Sequence, residues 1–484
     1  MIQAQHQCKQ AFLRSSSVGG RATHGHHERR PKPTESRVPI PFNCIINETS
    51  PTCRPVASAP SPSPSPSPPA SSSEHLLSSP PPSPTCPQYF RHIHSDLSPW
   101  RASGITREAV ERARPKAHFR LVVVAGRAYV ETYRRAFQTR DVFTQWGILQ
   151  LLSRHPGRVP DLDLMFFCDD RPQVRAAAYR GDPSAAPPLF GYCRDRGGAL
   201  DILFPDWTFW GWPEVGVRPW APFLEEAARG NRAVPWPERE PYAYWKGNPD
   251  VAASRRDLLR CNASGKGGRD WNARVFRQDW GHAVANGFKD SNMAKQCLYR
   301  YKIYVEGRGW SVSKKYILAC NSPMLQIDTP YEDFFSRELV AGMHYWPIAA
   351  ARKCPSIKFA VDWGNAHPEQ ARQMGEAGSA FTQGDLSMDN VYDYMLHLLT
   401  SYARLLRYKP TVPENAVEIC LESMACLATG RALEFMMESM ERYVHDQEPC
   451  MLPPPFTQDE IRDRIQKDEE VRSHVKKMEQ QQEA

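Results

Sequence analysis

Apolar runs alternate along the chain with stretches in which apolar residues recur at helical spacing. Residues 119–124 (FRLVVV) form a continuous apolar run that predicts a buried strand, and residues 127–131 are predicted as its hairpin partner. A helix capped by Asp141 is predicted next, because apolar side chains then recur on one face. The run at 159–170 predicts another strand. Helices and apolar strands in this alternating order favour an α/β fold.

The second half of the chain repeats this pattern. The predicted elements, in chain order, are a strand at 242–246 ending at Gly247, a helix at 250–260, a strand at 301–306 ending in a glycine turn, a helix at 311–320 and a strand at 323–327. This order of strand, turn, helix and strand is typical of units that bind nucleotides. Downstream, residues 386–407 predict an amphipathic helix, and residues 457–482 predict a charged helix on the surface.

Composition divides the chain into segments. Residues 1–88 contain SPSPSPSPP and SSPPPSP, which cannot bury apolar surface, so this segment is predicted to be a disordered linker or stem. The remaining predicted boundaries enclose two Rossmann-like subdomains, a C-terminal helical packing segment and a charged helical tail, at 89–235, 236–400, 401–455 and 456–484.

Charge and cysteine content narrow the function classes. The net charge of +7 on 484 residues suits a phosphorylated small ligand, and without a basic stripe or motif it gives no reason to expect nucleic acid. The 13 cysteines lack zinc-site spacing and indicate buried thiols or dispersed disulfides. Sequons at Asn47 and Asn262 favour the secretory lumen. No stretch reaches the roughly 20 apolar residues of a membrane span, and the N-terminus lacks a signal-peptide core.

Two acidic pairs are candidates for chemistry in the first half. Asp170 follows a predicted strand directly, where ligands bind in open α/β sheets, and its carboxylate could accept a proton from an attacking hydroxyl. The alternative is a solvated turn. Asp161 and Asp163 form a D-x-D pair that could hold a divalent cation against a sugar diphosphate. A polar strand face is the favoured interpretation of that pair.

Two glycine-containing turns are candidates for phosphate binding in the second half. Lys246 and Gly247 end one predicted strand, where a cation and a close backbone approach could meet a phosphate. Residues 306–315 (EGRGWSVSKK) combine a glycine turn, hydroxyls, cations and a helix N-terminus, which are the parts of a diphosphate cradle. Surface charge at two ordinary turns is the alternative. The aromatic loop at 204–212 could be an acceptor platform or a hydrophobic staple.

Many segments match one known family, both in their amino-acid sequence and in their order along the chain. They include residues 118–131, 139–172 (TRDVFTQWG to FFCDDRP), 202–214 (ILFPDWTFWGWPE), 240–262 and 296–322 (QCLYRYKIYVEGRGWSVSKKYILACNS). Across about residues 86–455 the chain resembles plant Rumi-type protein O-glucosyltransferases, which belong to glycosyltransferase family 90.

The resemblance implies a GT-B-like architecture, in which an acceptor-side subdomain at 89–235 faces a donor-binding subdomain at 236–400 across a cleft. It implies inverting transfer of glucose or xylose from a UDP-sugar to a protein or polysaccharide hydroxyl in the lumen of the endoplasmic reticulum or Golgi, without a metal cofactor. By this resemblance Asp170 is the catalytic base, and Trp207 and Trp210 contact the acceptor. The implied donor-binding residues are Lys246, Gly247, Arg308, Trp310, Ser311, Val312, Ser313 and Lys315.

Other functions remain open at this point. Phe167 and Asp328 stand where plant relatives often have an aspartate and a basic residue, which leaves room for an inactive carbohydrate-binding or scaffold protein. A metal-dependent GT-A enzyme that uses Asp161 and Asp163 is a second alternative. A basic nucleic-acid binder is the third.

Overall fold

A computed structural model describes residues 37–44, 46–47, 50–51, 53, 84–262, 268–289 and 291–483. Most of the predicted linker at 1–88 therefore lies outside the described residues, and so do residues 263 and 264 of the second sequon. Residues 39–484 belong to one compact unit. No helix in the described residues has the length and apolar character needed to cross a membrane.

The structure contains the strands that the apolar runs predict, together with several short ones. In chain order they are β1 (Ile46–Asn47), β2 (Ser50–Pro51), β3 (Phe119–Val124), β4 (Arg127–Thr132), β5 (Leu162–Phe166), β6 (Leu189–Gly191), β7 (Arg194–Asp195), β8 (Ile202–Leu203), β9 (Glu240–Gly247), β10 (Ala273–Arg277), β11 (Tyr299–Tyr304), β12 (Met324–Ile327), β13 (Tyr331–Glu332), β14 (Tyr345–Ile348) and β15 (Val417–Ile419).

The helices follow and separate these strands. In chain order they are α1 (His92–Asp96), α2 (Arg107–Glu111), α3 (Arg140–Arg154), α4 (Trp220–Ala233), α5 (Ala253–Leu258), α6 (Trp280–Ala285), α7 (Ser313–Leu318), α8 (Lys353–Ala366), α9 (Pro368–Gln383), α10 (Met388–Ala403), α11 (Leu421–Ala425), α12 (Gly430–Glu438) and α13 (Gln458–Glu483).

The first sheet is mixed and has the strand order β15-β4-β3-β5-β6-β8. The predicted hairpin is confirmed, since β3 and β4 pair antiparallel across a turn in which Ala125 and Gly126 have φ of 50° and 75°. Strand β5 runs antiparallel to β3 and parallel to β6, and β6 runs parallel to β8. The carboxyl ends of β5, β6 and β8 therefore meet at one edge, where parallel sheets bind ligands.

The second sheet is fully parallel and has the order β10-β9-β11-β12-β14. Its strands and the helices that connect them confirm the α/β fold and the predicted strand–turn–helix–strand unit. A buried cluster that includes Trp245, Ile303 and Leu325 packs its strands against α8, through Ile357 and Val361. Burial on both faces agrees with the near-continuous apolar runs of this half.

The core of the first sheet also contains residues from the second half of the chain. Trp310 and Tyr316 belong to the same buried cluster as β3 and β5. The predicted amphipathic helix is α10, and it packs beneath the first sheet, where the Tyr402 hydroxyl donates to the Asp163 carbonyl over 2.9 Å. The two sheets therefore share buried side chains.

The structure corrects two details in the first half. Helix α3 begins at Arg140, so Asp141 lies in its first turn, where a carboxylate oxygen accepts the Val142 N–H over 2.9 Å. Asp163 does not face solvent. It is fully buried, its oxygens accept hydrogen bonds from Arg120 at 2.7 and 2.6 Å, and the Tyr408 hydroxyl adds another at 2.9 Å.

The cysteines form dispersed disulfides, one of the two alternatives that their spacing predicts. The pairs are Cys44–Cys426, Cys53–Cys420, Cys86–Cys450, Cys261–Cys354 and Cys297–Cys320. Cys168 and Cys193 are free and buried. The charged C-terminal segment forms α13 as predicted. At its start Glu460 pairs with Arg91 at 2.7 Å, and Val475 near its end packs in the second core.

Candidate functional site

The turn after β5 presents Asp170 at the carboxyl edge of the first sheet. The Asp170 side chain is 31% exposed, and its Oδ1 accepts a hydrogen bond from Arg140 Nη1 over 2.9 Å. Arg140 also reaches the Cys168 carbonyl at 3.3 Å. Among the described residues, no hydrogen bond reaches Asp170 Oδ2. One carboxylate oxygen is thus held in place while the other stays available to a ligand.

Aromatic rings hold Arg140 in position. Its guanidinium lies 4.5 Å from the Trp207 ring centroid and 5.7 Å from that of Trp212. Arg140 is nearly buried, so these cation–π contacts act where water competes little. They fix the direction in which Arg140 holds Asp170.

Asp201 anchors the other side of the same turn. Its two carboxylate oxygens accept the backbone N–H groups of Gln173 and Val174 over 2.8 and 2.9 Å. Burial raises the pKa of Asp201 to about 6. The chain that leaves Asp170 is therefore tied down three residues later.

The neighbouring Asp169 has a different environment. It is about half exposed, and its Oδ2 lies 3.6 Å from Nε2 of buried His118. His118 Nδ1 accepts the Cys168 N–H over 3.0 Å, which leaves the ring proton on Nε2, facing Asp169. Burial lowers the pKa of His118 to about 4, so the ring is neutral near pH 7.

The glycine turn after β11 lies against the Asp170 turn. Gly309 packs so closely on the Asp170 carbonyl oxygen that a β-carbon at this position would collide with it. Arg171 Nε donates to the Arg308 carbonyl over 3.0 Å, and Cys193 Sγ donates to the Asp170 carbonyl over 3.1 Å. The two turns singled out in the sequence therefore meet across the two sheets.

Arg255, in α5, also reaches this glycine turn, from the side of the second sheet. Its guanidinium donates to the Glu306 carbonyl at 2.7 Å, to Ser311 Oγ at 3.1 Å and to the Asn248 carbonyl at 3.3 Å. Within the described part of the chain, no carboxylate lies within salt-bridge distance of Arg255. Burial lowers the pKa of Arg255 from its usual value, while the charges of Asp170 and Glu306 act in the opposite direction.

Sequence reasoning did not select Arg255 as a site residue. It stands beside Arg256 in a charged helix, and the sequence does not show which of the two side chains turns toward the strand ends. Arg256 is exposed and donates to the Asp250 carbonyl over 3.3 Å.

The other predicted donor residues, except Lys315, lie in the glycine turn, at the start of α7 or at the end of the adjacent strand. Lys246 and Gly247 end β9, the strand adjacent to β11. Ser311 Oγ lies 2.9 Å from Ser313 Oγ, and the Ser311 N–H donates to the Tyr304 hydroxyl over 3.1 Å. Val312 is the cap residue of α7, the Arg308 side chain is exposed, and Trp310 is buried beneath the turn.

Lys315 requires a correction, because its side chain does not face the glycine turn. It is fully buried, and its Nζ donates to both carboxylate oxygens of Asp206, at 3.2 and 3.0 Å, and to the Thr208 hydroxyl at 2.6 Å. The pair joins α7 to the aromatic loop of the first half. Lys315 therefore joins the two halves of the protein and has no accessible position for a phosphate.

Trp207 and Trp210 are also placed differently from the prediction. Both are buried, Trp207 against Arg140 and Trp210 against Gly147, with the Trp210 indole N–H donating to the Tyr392 hydroxyl over 3.0 Å. They are core residues that support the site from behind. The exposed aromatic side chain near Asp170 is Phe137, which is 59% exposed and whose ring centroid lies 5.2 Å from the Arg140 guanidinium.

The D-x-D pair does not form an open cation site. Asp163 is buried and bound by Arg120 and Tyr408, as described above, while Asp161 accepts the Ala125 N–H over 2.8 Å. The geometry contradicts a metal-binding role for this pair, because the Asp163 oxygens are engaged with buried donors.

Comparison with known proteins identifies the family of this chain. The model of glycosyl transferase family 90 matches residues 81–479. Protein O-glucosyltransferase 1 of Bos taurus is 27% identical over 344 residues, which cover 68% of this chain and 83% of the relative. The Homo sapiens protein of the same name is 26% identical with the same coverage. O-glucosyltransferase rumi of Drosophila melanogaster is 23% identical over 364 residues, 72% of this chain and 85% of the relative. These matches confirm the resemblance to Rumi-type proteins, and because the family model covers most of the chain, the protein belongs to glycosyl transferase family 90 and is a glycosyltransferase.

Proposed function

We propose that this protein is an inverting enzyme of GT-B architecture that transfers glucose or xylose from a UDP-sugar to a hydroxyl of a protein acceptor. The observation that carries the proposal is the contact between the Asp170 turn and the glycine turn beside Arg255. It packs the turn that carries the Asp170 carboxylate against the turn that Arg255 holds through Ser311. The printed names of the relatives, protein O-glucosyltransferases, support glucose and a protein hydroxyl.

Asp170 acts as the general base in this mechanism. Its Oδ1 is held by Arg140, so Oδ2 can accept the proton of the acceptor hydroxyl as that oxygen attacks the anomeric carbon. A single displacement from the face opposite UDP inverts the anomeric centre. The close packing of the two turns supports catalysis through positioning, because the attacking and leaving groups are held on rigid strand ends.

Arg255 stabilises the leaving group on the other side. UDP departs with growing negative charge on its diphosphate, and a preorganised cation at that point contributes strongly to the rate. The hydroxyls of Ser311 and Ser313 and the cations Lys246 and Arg308 lie on the surrounding strand ends and turns. The protein groups supply this charge themselves, so the proposal includes no metal cofactor.

The disulfides support a secretory compartment. Five disulfides form within the described residues, and three of them join cysteines more than 360 residues apart. Such bonds form and persist in oxidising environments. We therefore propose that the enzyme works in the lumen of the endoplasmic reticulum or Golgi.

Asp170→Asn tests the mechanism, with Asp169→Asn as the matched control one residue away. We expect Asp170→Asn to lose transfer by about 10²- to 10⁴-fold, the usual contribution of a general base, while the Kd for UDP stays within about twofold. Asp169 contacts His118 and not the glycine turn, so its variant should keep most of its activity. Near-normal transfer by Asp170→Asn rejects the assignment.

The donor and the stereochemistry need a separate experiment. UDP release should be measured with UDP-glucose and UDP-xylose side by side, with serine peptides as acceptors, and the anomeric configuration of the product should be read by NMR. Inversion and activity in the presence of EDTA are the expected results. Retention of configuration contradicts a single displacement, while loss of activity in EDTA points to a metal site. UDP binding without turnover for any acceptor identifies the inactive scaffold alternative.

A further inference from the structure

Tyr133 and Arg134, at the start of the loop between β4 and α3 (residues 133–139), line a surface cavity. The cavity has a volume of about 670 Å³ and opens to solvent. Its lining is formed by Arg114, Pro115, Ala117, Glu131, Thr132, Tyr133, Arg134 and Asn415. The mechanism above uses none of these side chains.

Arg134 gives this cavity a free positive charge. Its side chain is exposed and donates to the Lys116 carbonyl. In the part of the chain that the structure describes, no carboxylate lies within salt-bridge distance of it. Glu131 does not neutralise it, because that carboxylate accepts the Tyr133 hydroxyl at 2.8 Å and lies 3.7 Å from Arg114. The cavity therefore contains two arginines and one glutamate, and the glutamate pairs with Arg114.

The loop also touches the residues around the proposed base. The Arg134 guanidinium lies 5.5 Å from the ring centroid of Phe167, which stands three residues before Asp170. At the other end of the loop, exposed Phe137 covers the Arg140 guanidinium that holds Asp170. The loop thus contacts Phe167 through Arg134 and Arg140 through Phe137, two residues next to the Asp170 turn in sequence or by hydrogen bond.

We propose that residues 133–139 and this cavity bind the acceptor polypeptide, with a carboxylate side chain of the acceptor pairing with Arg134. Phe137 supports the segment that carries the reacting hydroxyl, and the acidic side chain a few residues away along the acceptor enters the cavity. An arginine fork and a carboxylate form a directional pair, and charge complementarity also favours encounter. The inference rests on the proposed function, since it names the acceptor class for the same site.

Binding of synthetic peptides tests the proposal without turnover. The probes are fluorescent nine-residue serine peptides in which one glutamate is moved through each position around the serine, each paired with a glutamine twin. We expect at least one glutamate peptide to bind the wild-type protein about 3- to 5-fold more tightly than its twin, the effect of one solvent-accessible ion pair. This preference should shrink as salt rises from 50 to 300 mM, because exposed pairs are screened.

Two variants and a control locate the effect. Arg134→Gln should reduce the glutamate preference to about 1, whereas Phe137→Ala should weaken binding of glutamate and glutamine peptides alike. Arg462→Gln removes an exposed arginine on α13 and should leave both affinities unchanged. Equal binding of every pair by the wild type, or a preference that survives in Arg134→Gln, overturns the proposal. Wild-type protein that shows the preference but releases no UDP from either UDP-sugar supports the cavity and rejects the proposed function instead.

Discussion

The substitution Lys315→Met distinguishes between two roles for this lysine. It either holds the two halves of the protein together or binds a ligand directly. Lys315 Nζ is buried and makes three hydrogen bonds to Asp206 and Thr208. Methionine is close to lysine in length and fills the same space without charge. The change therefore removes the ion pair and little of the packing.

The expected loss of unfolding free energy follows from the groups that stay buried in the variant. Asp206 stays buried and loses its cation, and breaking a buried pair from one side costs about 3 to 5 kcal/mol. The Thr208 N–H and hydroxyl still donate to Asp206, which places the loss at about 3 kcal/mol, the lower end of that range. The double variant Lys315→Met/Asp206→Asn removes both charges, and it should recover a large part of this loss.

Thermal unfolding followed by near-UV circular dichroism measures the effect, and calorimetric titration with UDP measures binding by the folded protein. We expect Lys315→Met to unfold several degrees below the wild type and to bind UDP with unchanged affinity. Lys467→Met, at an exposed position on α13, is the control and should change stability by less than about 0.5 kcal/mol. Wild-type stability combined with a large loss of UDP affinity refutes this reasoning, because it puts the lysine at the phosphate.

Three further predictions concern the site and its support. Arg255→Ala should weaken UDP binding about 10- to 100-fold, the effect of lost charge-assisted hydrogen bonds, while its neighbour Arg256→Ala should bind normally; calorimetry decides, and equal effects contradict the assignment. The pKa of His118 falls from 6.5 to about 4 on burial, so its contribution to stability is complete above pH 6.5 and is lost as the pH drops through 4. The free energy of unfolding should decrease by about 2 kcal/mol more from pH 7 to 5 in the wild type than in His118→Asn, and parallel pH curves reject this cause. Replacing Cys86 and Cys450 by serine removes a bond across 364 residues and should cost about 2 to 5 kcal/mol of unfolding free energy; an unchanged denaturant midpoint contradicts it.

The meeting of the two turns could be predicted because it depends on strand order and glycine. Residues that directly follow strands collect at the carboxyl edge of a sheet, and Asp170 and Gly309 both do so. The glycine at 309 also has a steric reason, since it packs on the Asp170 carbonyl. The position after a strand and the need for glycine can both be inferred from the local sequence.

The sequence does not show in the same way toward which neighbours the buried charged side chains point. Asp163 alternates with apolar residues, which is typical of a solvent-facing position, but α10 and Arg120 cover that face from elsewhere in the chain. Lys315 follows Lys314 in a six-residue helix, where sequence alone does not show which side the first half will cover. Partners more than 40 residues away decide each case.

Aromatic residues were misplaced for a related reason. Trp207 and Trp210 lie in a loop rich in proline and glycine, which favours exposure, yet their large apolar area is worth more in the core. Trp210 fits only because residue 147 is glycine and Tyr392 accepts its N–H, two conditions set by distant segments. Phe137 has weaker local signals, yet its side chain is exposed beside Arg140.

The shared core explains how Asp170 and the glycine turn keep their relative position. Besides the Lys315 pair, the Tyr316 hydroxyl donates to the Thr208 carbonyl over 3.1 Å, and the Trp310 ring packs 6.2 Å from that of Trp207, the residue that supports Arg140. A displacement of α7 therefore has to move Trp207, then Arg140, and with it the carboxylate. Because positioning errors on the scale of an ångström cost about 10²-fold in rate, these buried contacts between the sheets are part of the proposed catalytic geometry, although their side chains do not reach the substrate.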